Sequence, residues 1–392
     1  MTNPIKAILV GAGGYGETYC GWFLNNAGDE ISLAAVIDPY AKNSGAYDRL
    51  VKTCPIYDNL EDYFSTGAKA DLTIISSPIH LHFEQCMAAL AGGSHVFCEK
   101  PLVPTLRELN LLEEKAAEVG KTISVGFQWC YSDAIRGLKK RIISGEFGRA
   151  ESFKCAVCWP RDWAYYNRSF WAGKIKSDDG HIFYDSVVSN ATAHYIQNML
   201  FLLGKTMEDS VELGNITIET YRANSIESFD TCVFTGEAGG ANIFYAATHA
   251  VNHKIGPVME LAFENAKISL GAPGPDDEFV INHKNGNIEK IPVSGVSDTE
   301  NKMKLTLESI QKKGPLICTP RTVRPFTALI DAIFEQTEIY DFPMKYICKD
   351  NQNEITYVEN LHISMMKCFQ ECKLPYELAL PWAKRPLEIK TR

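Results

Sequence analysis

The segment "VGAGGYG" sets Gly11, Gly13 and Gly16 in the spacing G-x-G-x-x-G, with Gly14 and Tyr15 between the last two, after an apolar run and at the head of a helical pattern. Each glycine has its own task. The first permits a tight turn, the second lets the backbone approach a pyrophosphate at a helix N-terminus, and the third lets helix pack on strand. Asp38, in "AAVIDPY", ends the next apolar run, where a carboxylate can accept both hydroxyls of an adenosine ribose. The same charge repels a 2′-phosphate, so the expected cofactor is NAD in preference to NADP. Further along, "HVFCEKPLV" puts Glu99 and Lys100 at the end of another apolar run. An ammonium there could hydrogen-bond a substrate hydroxyl and stabilise the alkoxide that forms as hydride leaves, with Glu99 holding its orientation. "ISSPIHLHFEQC" brings Ser76, Ser77 and Pro78 to a strand exit of the same kind. His80 and His82 invite a metal, but an H-x-H pair at a helix start diverges and has no obvious carboxylate partner. No metal is expected; helix-start packing is preferred for His82, with cofactor contact second.

These residues depend on a scaffold that can bring strand ends together. Apolar runs alternate with helical patterns: "IKAILV", "ISLAAVID", "DLTIISS", "SHVFC" and "KTISVGF" are separated by helical stretches at 15–26, 41–51, 80–91 and 105–118. That rhythm is βαβ, and unalternating runs of Val, Ile and Leu imply parallel strands covered on both faces. At 392 residues the chain exceeds the usual reach of one core, so two domains are expected, residues 1–130 and 131–392. The net charge of −9 and the lack of a basic run argue against nucleic acid. The start of the chain fits neither a signal peptide nor a membrane span, and a cytoplasmic protein is expected. Twelve cysteines lie mostly inside apolar runs and are expected as reduced, buried thiols. Cys155 and Cys158 form the one C-x-x-C, but on a strand they face opposite ways, so packing is preferred to a zinc site.

Taken together, "VGAGGYG", "VID", "SSPIHLH", "HVFCEKPL", "VGFQW" and "ISGEFGR" resemble the Gfo/Idh/MocA oxidoreductases, the family of glucose-fructose oxidoreductase and inositol dehydrogenase. The resemblance covers about residues 5–150 and thins to single motifs beyond. It implies an N-terminal Rossmann domain with a doubly wound parallel sheet and a C-terminal α+β domain with a large, mostly antiparallel open sheet. It also implies a tightly held NAD or NADP and a sugar or cyclic polyol substrate. Lys100 falls on the family's catalytic or substrate-orienting lysine. Gly14, Tyr15, His82, Glu99 and Gln128 join the cofactor set through the motifs that contain them.

In the second part, "WPRDWAYYNRSFWAGK" carries three tryptophans, two tyrosines and two arginines. Aromatic faces and guanidinium forks suit sugar rings, which makes Arg161, Trp163, Tyr165, Tyr166, Arg168 and Trp171 candidates to line a substrate site; subunit contact or ordinary packing is an equal reading. "DSVVSNATAHYIQNMLFLLG" has a helical apolar face with Asn190, His194 and Asn198 as a polar stripe. The resembled family commonly has Asp-x-Gly-x-His here, and counting back from Gly204 puts His194 on its general base and Asn190 on its aspartate. Asn190 supplies no charge to favour an imidazolium, and Thr192 replaces the glycine. Asp185, just upstream, is the carboxylate that could compensate. From about residue 215 to 292 alternating stretches indicate an antiparallel sheet, on which His249 faces a site or packs. Helical patterns follow at 296–312, 321–336 and 358–372.

The expectation is an NAD-dependent oxidoreductase acting on a secondary hydroxyl of a sugar, glycoside or cyclic polyol, with Lys100, His194 and Asn190 in the catalytic set. Two alternatives stand beside it: a redox-assisted glycosidase with no net NADH, and a non-catalytic NAD or sugar sensor. A sheet face in need of cover suggests a homo-oligomer, dimer or tetramer.

Overall fold

The structure is a computed structural model that describes residues 4–271, 277–293 and 299–391. The chain divides into two compact units, Met1–Ser132 with Gly295–Arg324, and Asp133–Ser294 with Pro325–Arg392. The division drawn from the sequence has a single crossing near residue 130; the first unit also takes in a later return of the chain.

The first unit is built on six strands, β1 (Ile5–Val10), β2 (Ile31–Ile37), β3 (Ile56–Tyr57), β4 (Leu72–Ile75), β5 (His95–Cys98) and β6 (Ile123–Val125). They form one sheet in the order β3-β2-β1-β4-β5-β6, every neighbouring pair parallel. The order reverses between β1 and β4, and in open α/β sheets ligands bind outside the carboxyl ends at such a switch point. β4 is buried throughout and β5 nearly so, as runs without alternation require. Helices follow at Gly16–Asn25, His82–Ala91 and Leu106–Val119. The last begins where the Thr105 hydroxyl accepts from Glu108 N at 3.3 Å and stops at Gly120, whose φ is +63°. The short β3 and the helix Leu60–Ser65 did not stand out in the sequence because neither is long enough to show a period.

The second unit carries β7 (Ala150–Cys158), β8 (Leu213–Arg222), β9 (Thr231–Ala238), β10 (Ala241–Thr248), β11 (Ile255–Phe263), β12 (Ala266–Leu270), β13 (Glu278–His283), β14 (Ile288–Pro292), β15 (Ile339–Asp341), β16 (Ile347–Asp350), β17 (Ile355–Val358) and β18 (Leu387–Ile389). Ten of them form a mostly antiparallel sheet, β14-β13-β12-β11-β7-β10-β9-β8-β15 with β18 beside β8; the β7–β10 and β8–β15 pairs are parallel. β16 and β17 make a separate hairpin. One face of the sheet holds the helix Ala193–Leu202, with the Tyr245 hydroxyl donating to Thr192 O at 3.1 Å.

On the other face Ala156, Val233, Phe244 and Ala246 pack against Leu361, Met365 and Phe369 of the helix Leu361–Glu371 and against Leu374 and Trp382 beyond it. Next to this cluster the face is charged, Lys154 and Lys267 both pairing with Glu260. The chain's own C-terminal segment thus covers the apolar part of this face at β7, β9 and β10. Cys155 and Cys158 lie buried on opposite faces of β7; all twelve cysteines are free thiols, and all but Cys348 and Cys372 are buried. Among the described residues no helix is long and apolar enough to cross a membrane.

Candidate functional site

In the first unit the glycine turn follows β1. A Cβ on Gly11 would sit 2.9 Å from the backbone of Ser76 and Ser77, and its φ is +87°, so only glycine lets the turn pass the end of β4. A Cβ on Gly16 would lie 2.2 Å from Gly11 O, which fixes the helix Gly16–Asn25 tightly against the turn. Gly13, by contrast, has nothing within 4 Å of a Cβ position: its face is open. Asp38, just past β2, accepts from Ala12 N and from Tyr40 N, each at 2.8 Å, and so ties the turn to the end of β2 while presenting its carboxylate there. An open glycine face, a helix N-terminus and a carboxylate at the second strand end fit a dinucleotide: pyrophosphate at the turn, ribose at Asp38. Tyr15, 43% exposed, caps the turn at the start of the helix.

Ser76 and Ser77 follow β4 and are half-buried, and Ser77 donates to Gln85. Pro78 is exposed and opens a short 3₁₀ turn. His82 is 1% exposed, and its Nδ1 and Nε2 lie 2.9 Å from Pro101 O and Ser77 O. The ring stands between these two backbone carbonyls and so fastens the loop after β4 to the loop after β5. Burial lowers its pKa against the opposing effect of those carbonyls.

At the end of β5, Lys100 is half-buried and its peptide to Pro101 is cis. Glu99 directly follows β5 and is buried. Its carboxylate accepts the Tyr19 hydroxyl at 2.5 Å, Lys302 Nζ at 2.8 Å and the backbone N–H of Lys100 at 3.2 Å. Glu99 therefore orients the strand end through the main chain, and its charge is matched by Lys302. Burial would push the Glu99 carboxyl up, but the Lys302 ammonium and the hydrogen bonds from Lys302 and Tyr19 outweigh it and hold it below the usual range. Gly126, in "VGFQW", completes this nest: a Cβ there would lie 2.7 Å from the Glu99 carboxylate. Gln128, half-buried, begins the short helix after it. Lys302 was missed by sequence reasoning, since its helix, Thr299–Ile310, carries no motif and lies 203 residues from Glu99. A wider cavity of about 730 Å³, lined by Lys6, Asp71, His95 and Lys121, opens at the amino ends of the same strands, away from the glycine turn.

In the second unit the aromatic segment folds around Asp185. Asp162 caps the helix Trp163–Asn167 by accepting from Tyr165 N at 2.7 Å. The guanidinium of Arg168 stacks on Tyr165 and Trp171, 3.9 and 4.7 Å from the ring centroids, and donates to Asp185 at 3.4 Å. Arg161 stacks on the same Tyr165, at 4.6 Å. Asp185, 3% exposed, also accepts from Gly173 N at 2.7 Å and from Asn190 Nδ2 at 2.8 Å. A cavity of about 10 Å³ beneath Tyr165, Tyr166 and His249 has room for one water. Trp163 turns elsewhere, its indole donating to Thr356 of β17 at 3.0 Å.

The helix expected across Asn190 and His194 is broken. Val187–Ala191 is a π turn and the α-helix starts at Ala193, so Asn190 leaves the polar stripe and faces Asp185 instead. Thr192, at the position of the family's glycine, makes the break: it is fully buried and its hydroxyl donates to Val187 O at 2.5 Å. His194 is half-buried at the first turn of the α-helix. His249 is buried, with Nδ1 2.8 Å from Trp159 O. Burial, then the Arg161 and Arg168 charges, push its pKa down to about 3, so it is a neutral ring with Nδ1–H donating to the carbonyl.

Residues 5–127 match the model of the GFO_IDH_MocA oxidoreductase family, NAD-binding Rossmann fold. Glucose-6-phosphate 3-dehydrogenase of Bacillus subtilis is 28% identical over 151 residues, 38% of this chain and 41% of the relative. An inositol 2-dehydrogenase of Serratia proteamaculans is 34% identical over 102 residues, 26% of this chain and 30% of the relative. The similarity thus spans less than half the length of these curated relatives. The fold likeness is wider. The WlbA dehydrogenase of Bordetella pertussis, solved with NADH and UDP-GlcNAcA, superposes with a TM-score of 0.69 at 20% identity over 85% of this chain and 96% of that one. With its six-stranded parallel sheet and glycine turn, the segment 5–127 is the NAD-binding Rossmann fold of the Gfo/Idh/MocA oxidoreductase family.

Proposed function

We propose that the protein is an NAD-dependent oxidoreductase that takes a hydride from a secondary hydroxyl of a sugar, glycoside or cyclic polyol. The observation that carries this reading is the joint placement, on the carboxyl edge of one parallel sheet, of an open glycine turn after β1, Asp38 after β2 and Lys100 after β5. When bound, the nicotinamide supplies the hydride acceptor. Asp38 would bind the adenosine ribose and disfavour a 2′-phosphate, which makes NAD the preferred cofactor. Lys100 would hold the substrate hydroxyl and stabilise the developing alkoxide.

His194 is the proposed proton acceptor of the second unit. Asn190 donates to Asp185 at 2.8 Å, and this carboxylate is proposed to stand in for the aspartate that the family commonly has at position 190. Arg161, Tyr165, Arg168 and Trp171 are proposed to bind substrate, as the stacked faces and donors they present suit a polyhydroxylated ring. Trp163 has the weakest case, being held by Thr356. A cytoplasmic location and a homo-oligomer belong to the same proposal.

Titration with NADH and NADPH tests the cofactor half. NADH should bind more tightly, and Asp38→Ala should cost NADH at least about tenfold in affinity while sparing NADPH. Equal affinities in the unaltered protein, or an unchanged NADH affinity in the variant, would remove Asp38 from the ribose site.

A further inference from the structure

Lys302 is a fully buried lysine, and nothing in the reaction proposed above employs it. Its ammonium meets three groups of the first unit. It lies 2.8 Å from Glu99 Oε1, 2.9 Å from the Tyr19 hydroxyl and 3.2 Å from the Tyr15 hydroxyl, with its charge 4.9 Å from the Tyr15 ring centroid. Tyr15 belongs to the glycine turn, Tyr19 to the helix that follows it, and Glu99 to the strand end that carries Lys100. A buried ammonium is costly unless paired and hydrogen-bonded, and this one uses its three N–H donors on two separate strand-end loops and the helix between them.

Resting on the reading that NAD binds at this turn, we propose that Lys302 is a positioning residue: it joins the glycine turn to the Glu99–Lys100 strand end, so that cofactor affinity depends on a residue that does not touch the cofactor. Two consequences follow from the surroundings. Loss of the ammonium releases Tyr15 from the strand end, and it leaves Glu99 as a buried carboxylate. The charged and titratable groups about Glu99 are Tyr15 and Tyr19, His82, Cys98, Lys100 and Lys302, with Tyr131 behind Tyr19. Of the two cations among them, Lys302 acts more strongly on the carboxylate, donating to it from Nζ at 2.8 Å. Without it, the largest effect opposing burial is lost and the Glu99 pKa rises.

The test is NADH affinity, read by energy transfer from the protein's tryptophans, between pH 6 and pH 8.5, with melting temperature recorded alongside. The unaltered protein should show a flat profile across this range. Lys302→Met should bind more weakly by about tenfold at the alkaline end and recover as the pH falls and Glu99 takes up a proton. Lys302→Arg should restore most of the affinity. Should Lys302→Met not fold, the charge-neutral pair Lys302→Met with Glu99→Gln serves in its place, and it should bind NADH more weakly than the unaltered protein with a flat profile. A lower melting temperature with unchanged affinity and profile in either variant would overturn the positioning role and leave Lys302 as a stabilising ion pair. Absence of NADH binding in the unaltered protein would overturn the cofactor reading itself, and this inference with it.

Discussion

Lys100 is the residue on which the proposed chemistry turns, and it stands beside a carboxylate with partners of its own. Glu99 is engaged by Lys302 and Tyr19, and Lys100 begins where the strand leaves the sheet. Lys100→Met should therefore lower kcat by about 10² to 10⁴ with NADH affinity unchanged, a split that steady-state kinetics and a binding titration would measure together. Loss of NADH affinity in step with kcat would mean that the residue serves the cofactor and not the substrate. At this scale much was legible, because the glycines, Asp38 and Lys100 are tied to strand ends that lie close in sequence to the runs that announce them. Lys302 was not. A buried lysine looks like a solvated one until the fold brings a carboxylate to it, and nothing local in "TENKMKL" records the distant Glu99.

Among the elements, the π turn Val187–Ala191 most changes the sequence reading. Spacing alone gave one continuous helix, since Val188, Ala191, Tyr195 and Met199 keep helical intervals; the buried hydroxyl of Thr192 bonding back to Val187 widens the turn instead. The consequence is that Asn190 reaches Asp185, which also holds Gly173 N and Arg168. Removing that carboxylate leaves buried donors without an acceptor. Asp185→Ala should cost roughly 1 to 3 kcal/mol in denaturant unfolding, with Asp185→Asn in between. A change within a few tenths of a kcal/mol would show that the π turn and the Arg168 stack hold themselves.

For the whole molecule, the C-terminal segment is what the sequence least prepared for. Helical patterning located 358–372, observed as Leu361–Glu371, but which face of the sheet it covers is set by long-range contact, and only the structure shows Trp382 and Phe369 filling it. Glu219 of β8 lies in this contact, accepting from the Tyr221 hydroxyl and from Tyr376 N at 2.9 Å. Burial raises its pKa to about 7 against those hydrogen bonds. A carboxyl raised in the folded state binds its proton more tightly there than in the unfolded chain. Its contribution is complete below the unfolded value and is lost as pH rises from there through about 7. Glu219→Gln should accordingly gain stability over the unaltered protein on going from pH 5 to pH 8, by at most about 3 kcal/mol in unfolding free energy. A difference that does not change with pH would show that Glu219 is not protonated in the fold.

The account as a whole stands on net hydride transfer to NAD. The most direct measurement incubates the purified protein with NAD and a panel of sugars, glycosides and inositols, following NADH absorbance while mass spectrometry identifies products. The predicted result is NADH in step with a product lighter than its substrate by two hydrogens, abolished by Lys100→Met. Cleavage of a glycoside with no NADH accumulating would contradict it.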